Sequence, residues 1–186
     1  KIQSISYGGV PCQQHQPRKA PSNRVLLYFH GGGYCVGSPL SHRHLIARLA
    51  KQSKMRAVAP DYRKAPEHTH PAPIEDAVNV YSALLEEGVK PENIYLAGDS
   101  AGGNLVLATL IRLRDLSIAL PAAACCISPW TDLSMSGETI ASKGHVDLLL
   151  TPELLRQFAS HYSAGVSAEQ RGNSSAMSPL AADLTG

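Results

Sequence analysis

Short apolar runs and amphipathic stretches take turns along the 186 residues. Strand-like segments fall near Gln3 to Tyr7, Arg24 to His30, Ala57 to Pro60, Ile94 to Gly98 and Ala122 to Ser128. The first alternates apolar and polar positions like an exposed strand, whereas Val25 to Phe29 is apolar throughout, as in a buried one. Between these runs, Ser41 to Gln52, Ile74 to Glu87 and Gly103 to Leu113 space their apolar residues as helices do. Gly88 is placed to end the second helix, and Pro91 follows as a stop signal. A further helical stretch runs from Pro152 to Tyr162. Strands alternating with helices predict an α/β fold, a mostly parallel sheet with helices on both faces. The length suits one domain, residues 1–186, and repeats and low-complexity segments are absent.

The chemistry concentrates where two of these strands end. Ile94 to Ala97 leads into Gly98-Asp99-Ser100-Ala101-Gly102, and an apolar helical pattern follows. A G-x-S-x-G turn between strand and helix is sharp, and its small residues let the serine hydroxyl project above the sheet edge. Amides at the start of the helix favour negative charge developing there. Val25 to Phe29 leads in the same way into His30-Gly31-Gly32-Gly33-Tyr34, three glycines whose backbone donors are bare. Such a loop supplies an oxyanion hole, in which a preorganised donor lowers an acyl-transfer barrier by about 3 to 4 kcal/mol. Ser100 is the candidate nucleophile. The amides of Gly32, Gly33 and Ala101 are the candidate oxyanion donors, with His30, Gly31, Gly98, Asp99 and Gly102 as supporting motif residues.

These blocks, with Asp61-Tyr62-Arg63-Lys64-Ala65-Pro66-Glu67-His68, Pro71 to Ala77 and Ser128-Pro129-Trp130-Thr131-Asp132-Leu133, resemble the hormone-sensitive-lipase-like family of α/β-hydrolase carboxylesterases. The resemblance runs over essentially the whole chain. It implies an α/β-hydrolase fold, a serine carboxylesterase or lipase-like activity on short- to medium-chain acyl esters, and no cofactor. It implies cap helices inserted at about 132–162, so that Leu148, Leu149, Leu150, Leu154, Leu155 and Phe158 either contact an acyl chain or pack the cap. Tyr34 and Trp130 are expected to line the substrate pocket. Tyr62, Arg63, Pro66, Glu67 and Glu75 are expected to hold the loops beneath the site.

In this family the triad acid and histidine follow the serine on later strands. The last family-like block is Ser178 to Leu184, so the resemblance reads the fold as incomplete at its C-terminal side and the chain as short of both partners. After Ser100 only His145 and His161 remain as histidines, and both read as solvated surface residues. Without a base this chain alone is expected to turn over little or no ester. The same fold also serves non-catalytic receptors, which makes a small-ligand-binding protein the alternative. The missing strands leave Ala122 to Ile127 as an unpaired sheet edge, where a second copy or a complementing chain would associate.

Composition narrows the partners. A formal charge of +2 argues against electrostatic capture of nucleic acid, and Arg43, Arg48, Lys51, Lys54 and Arg56 read as the solvated face of a helix. No apolar run is long enough for a membrane span or signal peptide, so a cytoplasmic protein is expected. Cys12, Cys35, Cys125 and Cys126 have neither the spacing of a disulfide framework nor a matching histidine set for a metal, and they read as free thiols.

Overall fold

The computed structural model describes residues 1–18 and 23–185. Six strands form one sheet: β1 (Ile2–Tyr7), β2 (Val10–His15), β3 (Val25–Phe29), β4 (Arg56–Pro60), β5 (Ile94–Asp99) and β6 (Ala123–Ile127), in the spatial order β1-β2-β4-β3-β5-β6. The pairs β3·β4, β3·β5 and β5·β6 are parallel, while β2 runs antiparallel to both its neighbours. Helices α1 (Arg43–Ser53), α2 (Ala72–Glu86) and α3 (Ala101–Asp115) make the crossovers. Three further helices, α4 (Glu138–Lys143), α5 (Pro152–Ser163) and α6 (Ala168–Gly172), follow β6.

Two apolar clusters show why the central strands read as unbroken apolar runs. Alternate residues of β3 point to opposite faces. Leu26 and Tyr28 meet Ile46 and Ala50 of α1, whereas Val25, Leu27 and Phe29 join the cluster that includes Val80 and Leu84 of α2 and Leu105 and Val106 of α3. Every residue of β3 and β4 is buried. Strand β6 is the opposite case, with four of its five residues exposed, and it lies at the outer edge of the sheet.

Strand β2 is absent from the pattern reading. Its sequence, Val10-Pro11-Cys12-Gln13-Gln14-His15, has no run of apolar residues and contains a proline. Tertiary pairing overrides that weak propensity, because Gln14 and Cys12 lie between β1 and β4. The turn chemistry carries the signal that was passed over: Gly8 and Gly9 both take positive φ, as a two-residue hairpin turn demands. Buried Arg56 then ties the hairpin down, donating to the Tyr7 hydroxyl at 2.9 Å and pairing with Glu87 beyond the end of α2. Periodicity shows neither α4 nor α6, since five or six residues carry too little of it, although α4 lies within the stretch of about 132–162 for which the resemblance implies cap helices. Helix α3 starts two residues earlier than the apolar spacing suggests, at the alanine directly after Ser100.

All four cysteines are free thiols, and among the described residues no helix is long and apolar enough to cross a membrane. Replacing Leu27 by alanine, at the fully buried centre of β3, is expected to cost about 2 to 5 kcal/mol by opening a cavity between the sheet and its helices. Urea denaturation of the two proteins measures it.

Candidate active site

Strands β3 and β5 lie side by side in parallel register, Phe29 opposite Gly98, so the two glycine-rich segments leave the sheet at the same end. Close approach then requires small residues. A Cβ on Gly102 would stand 2.1 Å from the Phe29 carbonyl oxygen and 2.6 Å from that of His30. Only glycine lets the first turn of α3 press against the start of the His30 to Tyr34 loop. Asp99 fastens the two: its Oδ1 accepts from the Gly31 amide at 3.0 Å and from the Tyr28 hydroxyl at 2.6 Å. His42, just ahead of α1, places its Nε2 3.5 Å from the other carboxylate oxygen.

Ser100 sits at the apex with φ 52° and ψ −119°, a backbone strained for any residue but glycine. Neighbours hold it there. The Ser100 amide donates to Ile127 O at 3.0 Å, and its carbonyl accepts from the Trp130 amide at 3.0 Å and the Asn104 amide at 3.1 Å. The residue remains partly exposed, and among the described residues no side chain bonds its hydroxyl. The amides of Gly32, Gly33 and Ala101 likewise have no acceptor among the described residues. Gly32 takes φ 124°, and a Cβ there would meet the Val36 carbonyl oxygen at 2.1 Å, so the loop can turn its donors outward only without a side chain.

His30 faces away from this chemistry. Its ring is buried and stacked on Tyr62 at 4.3 Å, with Nδ1 2.7 Å from the Gly31 carbonyl and Nε2 without a partner. With that carbonyl as acceptor, Nδ1 carries the proton. Burial pushes the imidazole pKa down to about 4, so the ring is a neutral strut inside the loop. Tyr62 completes the strut by donating to the His30 carbonyl at 2.7 Å. Arg63 reaches Asp76 and Glu75 at the start of α2, tying the segment after β4 to that helix.

Tyr34 does not line an opening. It is fully buried, stacked on Tyr162 at 3.9 Å, and its hydroxyl donates to Asn104 Oδ1 at 2.6 Å. It therefore holds the loop against α5 and α3 and offers no surface to a substrate. Asn104, like His42, is a site residue that the sequence reading missed. Its amide nitrogen donates to Trp130 O at 2.7 Å and Met177 O at 2.8 Å, linking the loop, α3 and the segment after β6. An asparagine inside an apolar helical pattern was the signal. Trp130 is half-buried beside the turn, and Phe158 of α5 lies against Gly33, whose Cβ would stand 2.2 Å from its ring. His145 and His161 are exposed, and Asp132 is occupied by its own loop, accepting from Ser134 and Ser136. Burial disfavours the charge of Asp132, yet those donors prevail and hold its carboxyl below the usual range. Among the described residues no cluster of three or more His, Cys, Asp or Glu is placed to bind a metal.

Two measurements check these assignments. Asn104→Ala removes the acceptor of the buried Tyr34 hydroxyl and the donor to the buried Met177 carbonyl and the part-buried Trp130 carbonyl, and is expected to cost about 3 kcal/mol or more, read by thermal and urea unfolding. Acid should destabilise the fold through His30. The folded ring stays neutral down to about pH 4, while the unfolded chain protonates near 6.5. This contribution is therefore complete above pH 6.5 and declines toward pH 4 at roughly 1.4 kcal/mol per pH unit. His15 and His70, both lowered by burial, add to the same acid limb. Stability measured across pH 4 to 7 should lose part of its slope in His30→Gln.

Comparison with known proteins matches this fold. A family model described as the alpha/beta hydrolase fold covers residues 26–186. An acetyl-hydrolase of Streptomyces hygroscopicus is 45% identical over 182 residues, which are 98% of this chain and 59% of that protein. The crystal structure of an esterase from the bacterial hormone-sensitive lipase family superposes with a TM-score of 0.95 at 39% identity, covering 100% of this chain and 61% of the other. That of EstE5, soaked by p-nitrophenyl butyrate, superposes at 0.93 with 34% identity, covering 100% and 61%. The chain thus spans about three fifths of the length of these relatives. With the motifs, topology and matches in agreement, the chain belongs to the α/β-hydrolase family, in its hormone-sensitive-lipase-like branch.

Proposed function

We propose that these residues form the nucleophile and oxyanion-binding part of a serine carboxylesterase acting on small acyl esters. The observation that carries the reading is the group of three main-chain amides without acceptors, Gly32, Gly33 and Ala101, on the two segments that Asp99 ties together around Ser100. In the reaction the Ser100 oxygen attacks the acyl carbon while its proton passes to a general base. The carbonyl oxygen becomes an oxyanion facing those amides, the alcohol leaves with a proton, and water releases the acid from the acyl-enzyme. Among the described residues none offers the base, because both later histidines are exposed and no histidine bonds the hydroxyl. The relatives' acetyl-hydrolase activity and butyrate-ester soak support short acyl groups. Residues 1–186 are read as one domain in which α4 and α5, within about 132–162, form a cap, with Phe158 packed on Gly33 and Trp130 at the mouth.

The test compares this chain with one extended to the length of its relatives, using p-nitrophenyl acetate and butyrate and a fluorophosphonate label. The extended protein should hydrolyse both esters and take the label on Ser100. Ser100→Ala should abolish labelling and lower kcat by about 10⁶. The 186-residue chain should keep only slow turnover. An extended protein that binds esters reversibly but resists the label, or labelling that survives Ser100→Ala, overturns the assignment.

A further inference from the structure

Charge is unevenly divided along this chain. The first sixty residues hold nine of the seventeen Lys and Arg and no Asp or Glu, while all fifteen acids lie beyond them. The fold gathers much of this positive charge on one surface. Helix α1 accounts for the apolar contacts to the strands on its face of the sheet, through Ile46, Leu49 and Ala50. Its exposed side carries Arg43, His44, Arg48 and Lys51, within an arc of about 140° at 3.6 residues per turn, with Lys54 at its end. Among the described residues none of Arg43, Arg48, Lys51 or Lys54 pairs with a carboxylate. Arg18 joins Lys51 on a groove of about 300 Å³ between the β1–β2 hairpin and the helix.

A merely solvated helix face mixes signs, as α5 does with Glu153 and Arg156. The helix dipole accounts for Lys51 and Lys54 near the C-terminus but opposes Arg43, which opens the helix with no acid in the first turn. An external anion is the remaining partner. Apolar side chains flank the same end: Val36, Leu40 and Leu45 are 54%, 61% and 38% exposed, and His42 links this end to Asp99 of the serine turn. Cations beside exposed apolar groups match a lipid headgroup layer over acyl chains. A single-stranded nucleic acid would call for aromatic stacking, and Tyr7, Tyr28, Phe29 and Tyr34, the aromatic residues of the first sixty, are all buried; duplex DNA would use the cations alone and leave the exposed Val36, Leu40 and Leu45 without a partner.

We propose that the exposed face of α1, with Arg18 and the Val36 to Leu45 segment, docks on an anionic lipid bilayer, so that the serine turn lies beside the membrane surface. This holds whether or not Ser100 is a nucleophile, since the readout is binding.

The 186-residue chain is sedimented with phosphatidylcholine vesicles and with vesicles containing phosphatidylserine. It should bind the second and not the first, and release them in 1 M salt, where charges are screened beyond about 3 Å. Each basic residue near an anionic leaflet is worth roughly a fivefold factor in partitioning. Arg48→Glu/Lys51→Glu should therefore weaken binding by at least about 25-fold. Lys90→Glu, the same change of sign outside this face, should bind within about twofold of the parent. Unchanged thermal melting shows that the variants fold. No binding to phosphatidylserine vesicles, equal binding to both vesicle types, or equal binding by the double variant overturns the proposal. So does tight binding of duplex DNA without vesicle binding, which would assign the face to nucleic acid.

Discussion

Everything at the serine end of the sheet depends on one carboxylate. Asp99 stands at the last position of β5 and accepts both the Gly31 amide and the Tyr28 hydroxyl, so a single side chain connects two loops that pairing alone brings only into proximity. Parallel pairing of β3 with β5 sets the approximate distance, and glycine at 102 allows the final approach. The carboxylate then fixes rotation. With Gly31 held, the next two amides of the loop stay free of internal acceptors, and an oxyanion-binding geometry needs donors in that unoccupied condition.

The support for this arrangement is aromatic and buried. Tyr34 and Tyr162 stack face to face, Tyr62 stacks on His30, and Asn104 joins the first of these pairs to carbonyls on two later segments. Each polar tip has a partner, as buried polar groups require. The unpartnered Nε2 of His30 is the exception, and neutrality of the ring limits its cost. Rigidity in the loop thus comes from side chains that point away from the proposed chemistry.

Much of this could be read before any coordinates. Strands covered on both faces announce themselves as apolar runs, so β3 and β5 were plain, and the two glycine motifs at their ends pointed to one location. Strand β2 was not plain, because a mostly buried strand that carries a proline and two glutamines acquires its identity from its neighbours. Asn104 and His42 were passed over for a related reason: their importance lies in contacts across 26 to 73 residues of sequence, which periodicity does not register. The resemblance sets Tyr34 at the pocket, and the structure does not. The backbone there has positive φ, at 62°, and turns the ring inward to the core.

Strand β6 has a bearing on Ser100 that its marginal position conceals. The strained turn is hydrogen-bonded through its amide to Ile127 and through its carbonyl to Trp130, the end of the least covered strand and the segment just after it. Local opening starts at such borders of a sheet, where few apolar contacts oppose it. In the 186-residue chain a fluctuation that frays β6 therefore also releases the strain stored at φ 52°, and the serine turn relaxes with it. Amide hydrogen exchange would register the two as one cooperative unit, with protection at position 100 tracking that of the border strand instead of the deeply buried β3.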